Sequence, residues 1–194
     1  MKGLAIIMMV VVADCFSMTV PAANNAPEPV VVETPAPTEA PTEAPTTQIP
    51  TPPAQEGFQA YSIYGRIPPV EWQRYLYDEL ASRGKAWYMP YAVCQIQQES
   101  CWNQYSDNGR DIGLTQQKGI YWADRAAYWG VPGASIWDPY AQLHVYACMM
   151  CSYLDASGGD VGWALSAYYL GAWDYSDVYV NNVMEHWGAL EVVR

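Results

Sequence analysis

Read along the chain, hydrophobic and polar positions change pattern three times. An apolar run, Gly3 to Ala13, gives way to a proline-dense polar stretch over residues 24–56. From about Phe58 onward apolar residues recur every three or four positions, the spacing of one helix face. VEWQRYLYDELASRG after Pro68-Pro69 predicts a first helix, with Val70, Tyr75, Leu76, Glu79 and Leu80 on one face and Gly84 as its stop. Met89 to Ser100 predicts a second, mostly apolar helix. Ile120 to Trp129 predicts a third, broken by Gly130-Val131-Pro132-Gly133. Asp138-Pro139 combines an N-cap with a first-turn proline and launches a helix to about Ala156. Asp160 opens another to about Leu170, and the last covers roughly Ser176 to Leu190. Between the second and third, residues 103–117 are rich in Asn, Asp, Gly and Gln without helical period, which predicts turns or short strands.

Six helices and one irregular loop make an all-α (mainly α) domain over residues 58–194. Lys2, the apolar run and Val20-Pro21-Ala22 predict a secretion signal over residues 1–23. About eleven apolar residues are too few to span a bilayer, so no transmembrane span is expected in the mature protein. Cys15 invites a lipid-anchored reading, but Asp14 precedes it where a small residue is expected, so anchoring there is not favoured. Residues 24–57 predict a disordered Pro/Thr/Glu linker with the near-repeat PTEA at 37–40 and 41–44. In polyproline II form, at about 3.1 Å per residue, it reaches on the order of 100 Å. The expected location is secreted, or cell-surface and cell-wall associated.

Net charge is −11, and no Lys/Arg cluster exists, which excludes a nucleic-acid partner. Trp and Tyr number 9 and 16 against 2 Phe, favouring rings with a polar edge for wet clefts and core boundaries. With Cys15 removed, Cys94, Cys101, Cys148 and Cys151 form an even set in an oxidising compartment, predicting one or two disulfides. Cys94 and Cys101 stand about two helical turns apart, too far to bridge each other. The expected bridges therefore run from that pair to Cys148 and Cys151. His144 and His186 read as structural; a zinc site of His144, Cys148 and Cys151 is the weaker reading, and neither metal nor cofactor is expected.

Glu99 carries the candidate chemistry. It ends an apolar helix in QIQQESCWNQ, and DIGLTQQ begins twelve residues later. Apolar surroundings disfavour a charged carboxylate, so its pKa rises and it can donate a proton near neutral pH. A helix C-terminus disfavours the negative charge as well. Such an acid can break a glycosidic bond by protonating the leaving oxygen.

Residues 68–187 resemble the catalytic domain of the soluble lytic transglycosylases, kin of goose-type lysozyme. The resemblance rests on Glu99-Ser100, Trp102, Asn103, Gly113-Leu114-Thr115-Gln116, Asp138-Pro139, Ala167-Tyr168-Tyr169-Leu170-Gly171, and Tyr179 with Val183, in order and in register. It implies a lysozyme-like fold with an irregular cleft loop, monomeric, and a glycan strand of peptidoglycan as partner. It also implies Glu99 as single general acid/base, cutting between N-acetylmuramic acid and N-acetylglucosamine with formation of a 1,6-anhydro end. By the same resemblance Ser100 supports Glu99 or the sugar, Gln116 lines the cleft, and the Tyr168 hydroxyl points at the acid. Gly113 allows close approach of backbone and sugar. Tyr169 stands where the family has asparagine, and Thr115 where it has methionine. Two further readings stay open. Asp111 could serve as a second carboxylate for a water-using muramidase, or the Tyr169 change could mark a cleft that binds glycan or protein without cutting. Trp102, Trp122, Trp137, Trp163 and Trp173 offer stacking faces, each also readable as core; Trp102 is expected under the catalytic helix, and Trp122 and Trp173 nearer the cleft.

Overall fold

The structure, a computed structural model, describes residues 49–52, 57–172 and 174–193. The expected signal segment with Cys15, the linker up to residue 48, residues 53–56 and Trp173 lie outside the described residues. Helix α1 (Val70–Ser82) buries Gln73, Leu76 and Leu80, a three- and four-residue spacing that makes one face. Val70, expected on that face, is exposed, and Gln73 is buried instead. The reason is polar. Gln73 Oε1 accepts from the Tyr61 amide at 2.8 Å, and its Nε2 donates to the carbonyls of Tyr61 and Pro68, both at 3.0 Å. Its amide thus acts as a substitute neighbour for strand β1 (Tyr61–Ile63), along the edge that faces away from the partner strand.

Helix α2 (Met89–Ser100) leaves a 3-10 turn at Ala86–Tyr88 and is buried without interruption from Met89 to Ile96. A helix buried on every side over two turns belongs in the middle of a core, and α2 lies there, against α6 and α1. Strands β2 (Asp111–Ile112) and β3 (Gln117–Lys118) form a small antiparallel hairpin within the stretch expected to be turns or short strands. Helix α3 (Trp122–Tyr128) is shorter than expected, because Gly119–Tyr121 tightens into a 3-10 turn.

Helix α4 (Pro139–Ala156) begins as predicted: the Asp138 carboxylate accepts from the amides of Tyr140 and Ala141 at 2.9 and 3.4 Å. Its Leu143, Tyr146, Ala147 and Met150 join the main core, while Ala141, Val145 and Met149 pack on Trp122 and Ala126 of α3. Helix α5 (Val161–Leu170) is capped by Asp160, which accepts from the Trp163 amide at 3.0 Å. Helix α6 (Asp177–Glu185) was expected to run to Leu190 but stops five residues earlier. Residues 186–189 tighten into a 3-10 turn containing Gly188, a poor helix former. Leu190–Val192 then become β4, paired antiparallel to β1. The described chain is mainly helical, with two two-stranded ribbons. No described helix is long and apolar enough to cross a membrane.

Two expectations need correction. The bridges to Cys148 and Cys151 are not formed: Cys94, Cys148 and Cys151 are free thiols. Cys94, on α2, packs in the main core, where burial pushes its thiol up to about 12. Cys148 Sγ instead accepts from Arg83 Nη2 at 2.9 Å, and burial first of all pushes Cys151 up to about 11. Such thiols stay protonated and unreactive. The end of the linker, moreover, is not detached from the domain. Ile49 packs on the core, and the Tyr91 hydroxyl donates to the Pro50 carbonyl.

Candidate active site

Glu99 reaches its position because α2 ends abruptly. Cys101 and Trp102 both take left-handed backbone, φ 53° and 61°, and the Cys101 amide closes on the Gln97 carbonyl. The chain turns away and leaves Glu99 in the last turn, facing α6. A pocket of about 200 Å³ opens there, lined by Gln98, Glu99, Tyr169, Ser176, Val178, Tyr179 and Asn182. α6 is held for this by its cap: Ser176 Oγ accepts from the Tyr179 amide at 3.3 Å, and the Ser176 amide is anchored on Ser166 Oγ at 3.0 Å.

The Tyr179 hydroxyl donates to Glu99 Oε1. Burial pushes the Glu99 carboxyl up to about 7; the Tyr179 bond lowers it, and the negative charge of Asp111 raises it further. A carboxyl raised this far can hold a proton near neutral pH and also release one. Burial, the Glu99 charge and the bond to Glu99 hold the Tyr179 phenol well above its ordinary value, so it remains a donor.

The predicted site residues separate into two groups. Tyr169 lies in the pocket, 55% exposed, its ring stacked on Tyr179 with centroids 4.4 Å apart and planes 6° from parallel. The others brace the loop beside it. Ser100 donates to the Leu114 carbonyl at 2.6 Å and ties the end of α2 to that loop. Gln116, at φ 49°, folds its amide back onto the carbonyls of Gly113 (2.8 Å) and Ser106 (3.3 Å). Tyr168 does not bond to Glu99 as expected. Its hydroxyl donates to the Thr115 carbonyl at 2.5 Å and accepts from Gln117 Nε2 at 2.8 Å. Tyr179 takes the role assigned to it. Gly113 does not line this pocket either; a Cβ there would lie 1.7 Å from Gln142 Nε2.

Asp111 is absent from the pocket lining and is engaged by Arg110 Nε at 2.9 Å and Asn108 Nδ2 at 3.5 Å. Trp102 is buried beside α2, its indole N–H donating to the Val93 carbonyl at 3.3 Å. Trp122, expected nearer the cleft, is buried against α4 instead. Trp137 is exposed beside Tyr105, and Trp163 packs edge-on to Tyr175. His144 joins Glu79 at 3.1 Å to the Trp129 carbonyl at 2.8 Å. His186 joins Tyr64 at 2.8 Å to Gln98 Oε1 at 2.9 Å and so holds one wall of the pocket. Among the described residues no cluster of three His, Cys, Asp or Glu is arranged to hold a metal.

Two substitutions should move the Glu99 titration in opposite directions. Tyr179→Phe removes a bond that lowers the Glu99 pKa, so its midpoint rises from about 7. Asp111→Asn removes a negative neighbour, so the midpoint falls. Carboxyl carbon NMR across pH 4 to 9 reads both directly. Equal shifts of one sign would contradict the assignment of these neighbours.

Comparison with protein-family models, with curated proteins and with solved structures finds no match to this chain.

Proposed function

We propose that the chain is an exported lytic transglycosylase that cuts the β-1,4 bond between N-acetylmuramic acid and N-acetylglucosamine in peptidoglycan. The carrying observation is one carboxyl, raised to about 7, in a pocket whose other walls suit a sugar. Gln98, Asn182 and Ser176 offer the donors and acceptors that acetamido and hydroxyl groups need. The exposed Tyr169 ring offers an apolar face to the C–H side of a pyranose.

In this reading Glu99 gives its proton to the bridging oxygen as the bond from C1 to that oxygen breaks. The C6 hydroxyl oxygen of the muramoyl residue then bonds to C1, and Glu99, now a carboxylate, takes the hydroxyl proton. The acid is regenerated, no water is consumed, and the products are a 1,6-anhydro end and a free 4-hydroxyl. A tethered nucleophile has a high effective concentration, so a second carboxylate is not needed to activate water. While Glu99 is ionised, the Tyr179 O–H stabilises it.

Asp111 favours this reading over water-using hydrolysis, because its carboxylate is tied to Arg110 outside the pocket. Mass spectrometry of peptidoglycan digests tests the choice. Anhydro-muropeptide ends are expected; reducing ends in their place would mean hydrolysis, and undigested wall would mean a binding protein.

A further inference from the structure

A buried polar chain runs behind the pocket, and its centre is a residue that never touches it. Gln95 is fully buried, one turn before Glu99 on α2. Its Oε1 accepts from two phenols, Tyr146 at 2.7 Å from α4 and Tyr88 at 3.0 Å from the turn before α2. Its Nε2 donates to the Tyr179 hydroxyl oxygen at 3.1 Å. Tyr179 in turn donates to Glu99.

The direction of this chain is set by counting hydrogens. Tyr88 and Tyr146 are 0% exposed, and each phenol carries a proton that needs an acceptor. The carbonyl oxygen of Gln95, with two lone pairs, meets both. The amide is then forced to present its N–H to Tyr179. Tyr179 has one proton, and with its oxygen already accepting from Gln95 that proton is directed to the carboxylate. Were the amide reversed, the two phenols would have only each other, since Tyr146 can donate to the Tyr88 oxygen, and the Tyr88 proton would be left without an acceptor in a dry core.

We infer that Gln95 is a positioning residue: held by Tyr88 and Tyr146, it fixes the hydrogen-bond direction so that the Tyr179 proton points at Glu99. Its role in turnover rests on the proposed acid/base role of Glu99, but the direction of the chain does not. The Gln95 bond also stabilises negative charge on the Tyr179 oxygen, which makes its O–H a stronger donor. The ionisable groups that bear on Glu99 are Tyr179 from α6, Asp111 from β2 and Tyr168 from α5; of these only Tyr179 bonds to Gln95. Sequence reasoning had no signal for Gln95 beyond its lying four residues before Glu99.

The test combines one measurement on the unaltered full chain with one on variants. In the wild type, the Gln95 side-chain amide resonances should titrate with the midpoint of the Glu99 carboxyl, because Tyr179 relays the change in charge. Amide resonances that stay constant through that titration overturn the inference, whether or not the protein cuts peptidoglycan. Gln95→Leu leaves the buried phenol pair one acceptor short and is at risk of not folding, so the triple variant Tyr88→Phe/Gln95→Leu/Tyr146→Phe removes the whole set of buried donors together. In that variant the Glu99 midpoint should move up, and kcat on peptidoglycan should fall about tenfold with KM changed less than about twofold. An unshifted midpoint in the folded triple variant refutes the positioning role. A shifted midpoint in a protein whose wild type releases no anhydro ends upholds it and rejects the transglycosylase reading alone.

Discussion

Glu99→Gln should give a protein that is more stable than the wild type above neutral pH and that no longer cuts. A glutamine keeps the shape and still accepts from Tyr179, but it has no proton to give and cannot retake one. Losing a positioned general acid that also serves as base should lower kcat on the order of a thousandfold, read as loss of clearing on peptidoglycan gels and of anhydro-muropeptides in solution. The stability effect has a definite sign. The folded-state pKa of Glu99 is raised from 4.5 to about 7, so the fold binds this proton more tightly than the unfolded chain does. Below about pH 4.5 both states hold the proton and there is no penalty. The penalty grows as pH rises through that interval and is complete above 7, where it approaches on the order of 3 kcal/mol. The variant escapes it. Thermal melts of the two proteins should therefore coincide near pH 4 and separate in favour of Glu99→Gln at pH 8. Coincident melts at pH 8 would mean that the carboxyl is not held in a disfavoured environment, and the case for a proton donor would fail with it.

The helices were legible in the sequence because their signals are local. Asp138-Pro139 fixed the start of α4, and Asp160 that of α5, through side-chain caps visible in four consecutive residues. Glu99 was legible for a similar reason: an acid on an apolar stretch states its own problem. What escaped depends on partners far along the chain. Gln73 reads as a polar interruption of α1, and only the presence of β1 twelve residues earlier explains its burial. β4 reads as the tail of a helix, because its pairing with β1 spans most of the domain. The same holds within the site. Tyr168 and Tyr179 both stood in quoted motifs, and helical phase alone does not decide which hydroxyl reaches Glu99. The decision lies in how α5 and α6 pack. Gln117 draws Tyr168 toward Thr115, and the Ser176 cap sets the turn that carries Tyr179.

The largest effect on stability is expected at Gly113, for a reason that contact with a sugar does not supply. Gly113 sits at φ 81°, where a Cβ is strained by roughly 1–2 kcal/mol in any surroundings. Its surroundings here are also full. An added Cβ meets Gln142 Nε2 at 1.7 Å, and that amide has little room to retreat. Gln142 is 1% exposed. Its Oε1 accepts from the Thr115 amide at 2.8 Å and the Thr115 hydroxyl at 3.1 Å, while Nε2 donates to the carbonyls of Ile112, at 3.3 Å, and Ile136. These bonds clamp the loop that Ser100 ties to α2, so displacing the amide breaks several buried hydrogen bonds and loosens the ground beside Glu99. Gly113→Ala should cost about 3–5 kcal/mol, a large part of a domain's stability, and lower the melting temperature by roughly 10 °C or more. Gly109→Ala isolates the backbone term, because Gly109 has φ 84° and open space around it; it should cost only the strain. In a Gln142→Ala background, where the obstruction is gone, Gly113→Ala should fall to that same small increment. If Gly113→Ala costs no more than Gly109→Ala in the intact protein, the glycine is there for backbone freedom alone and the Gln142 clamp does not hold the loop.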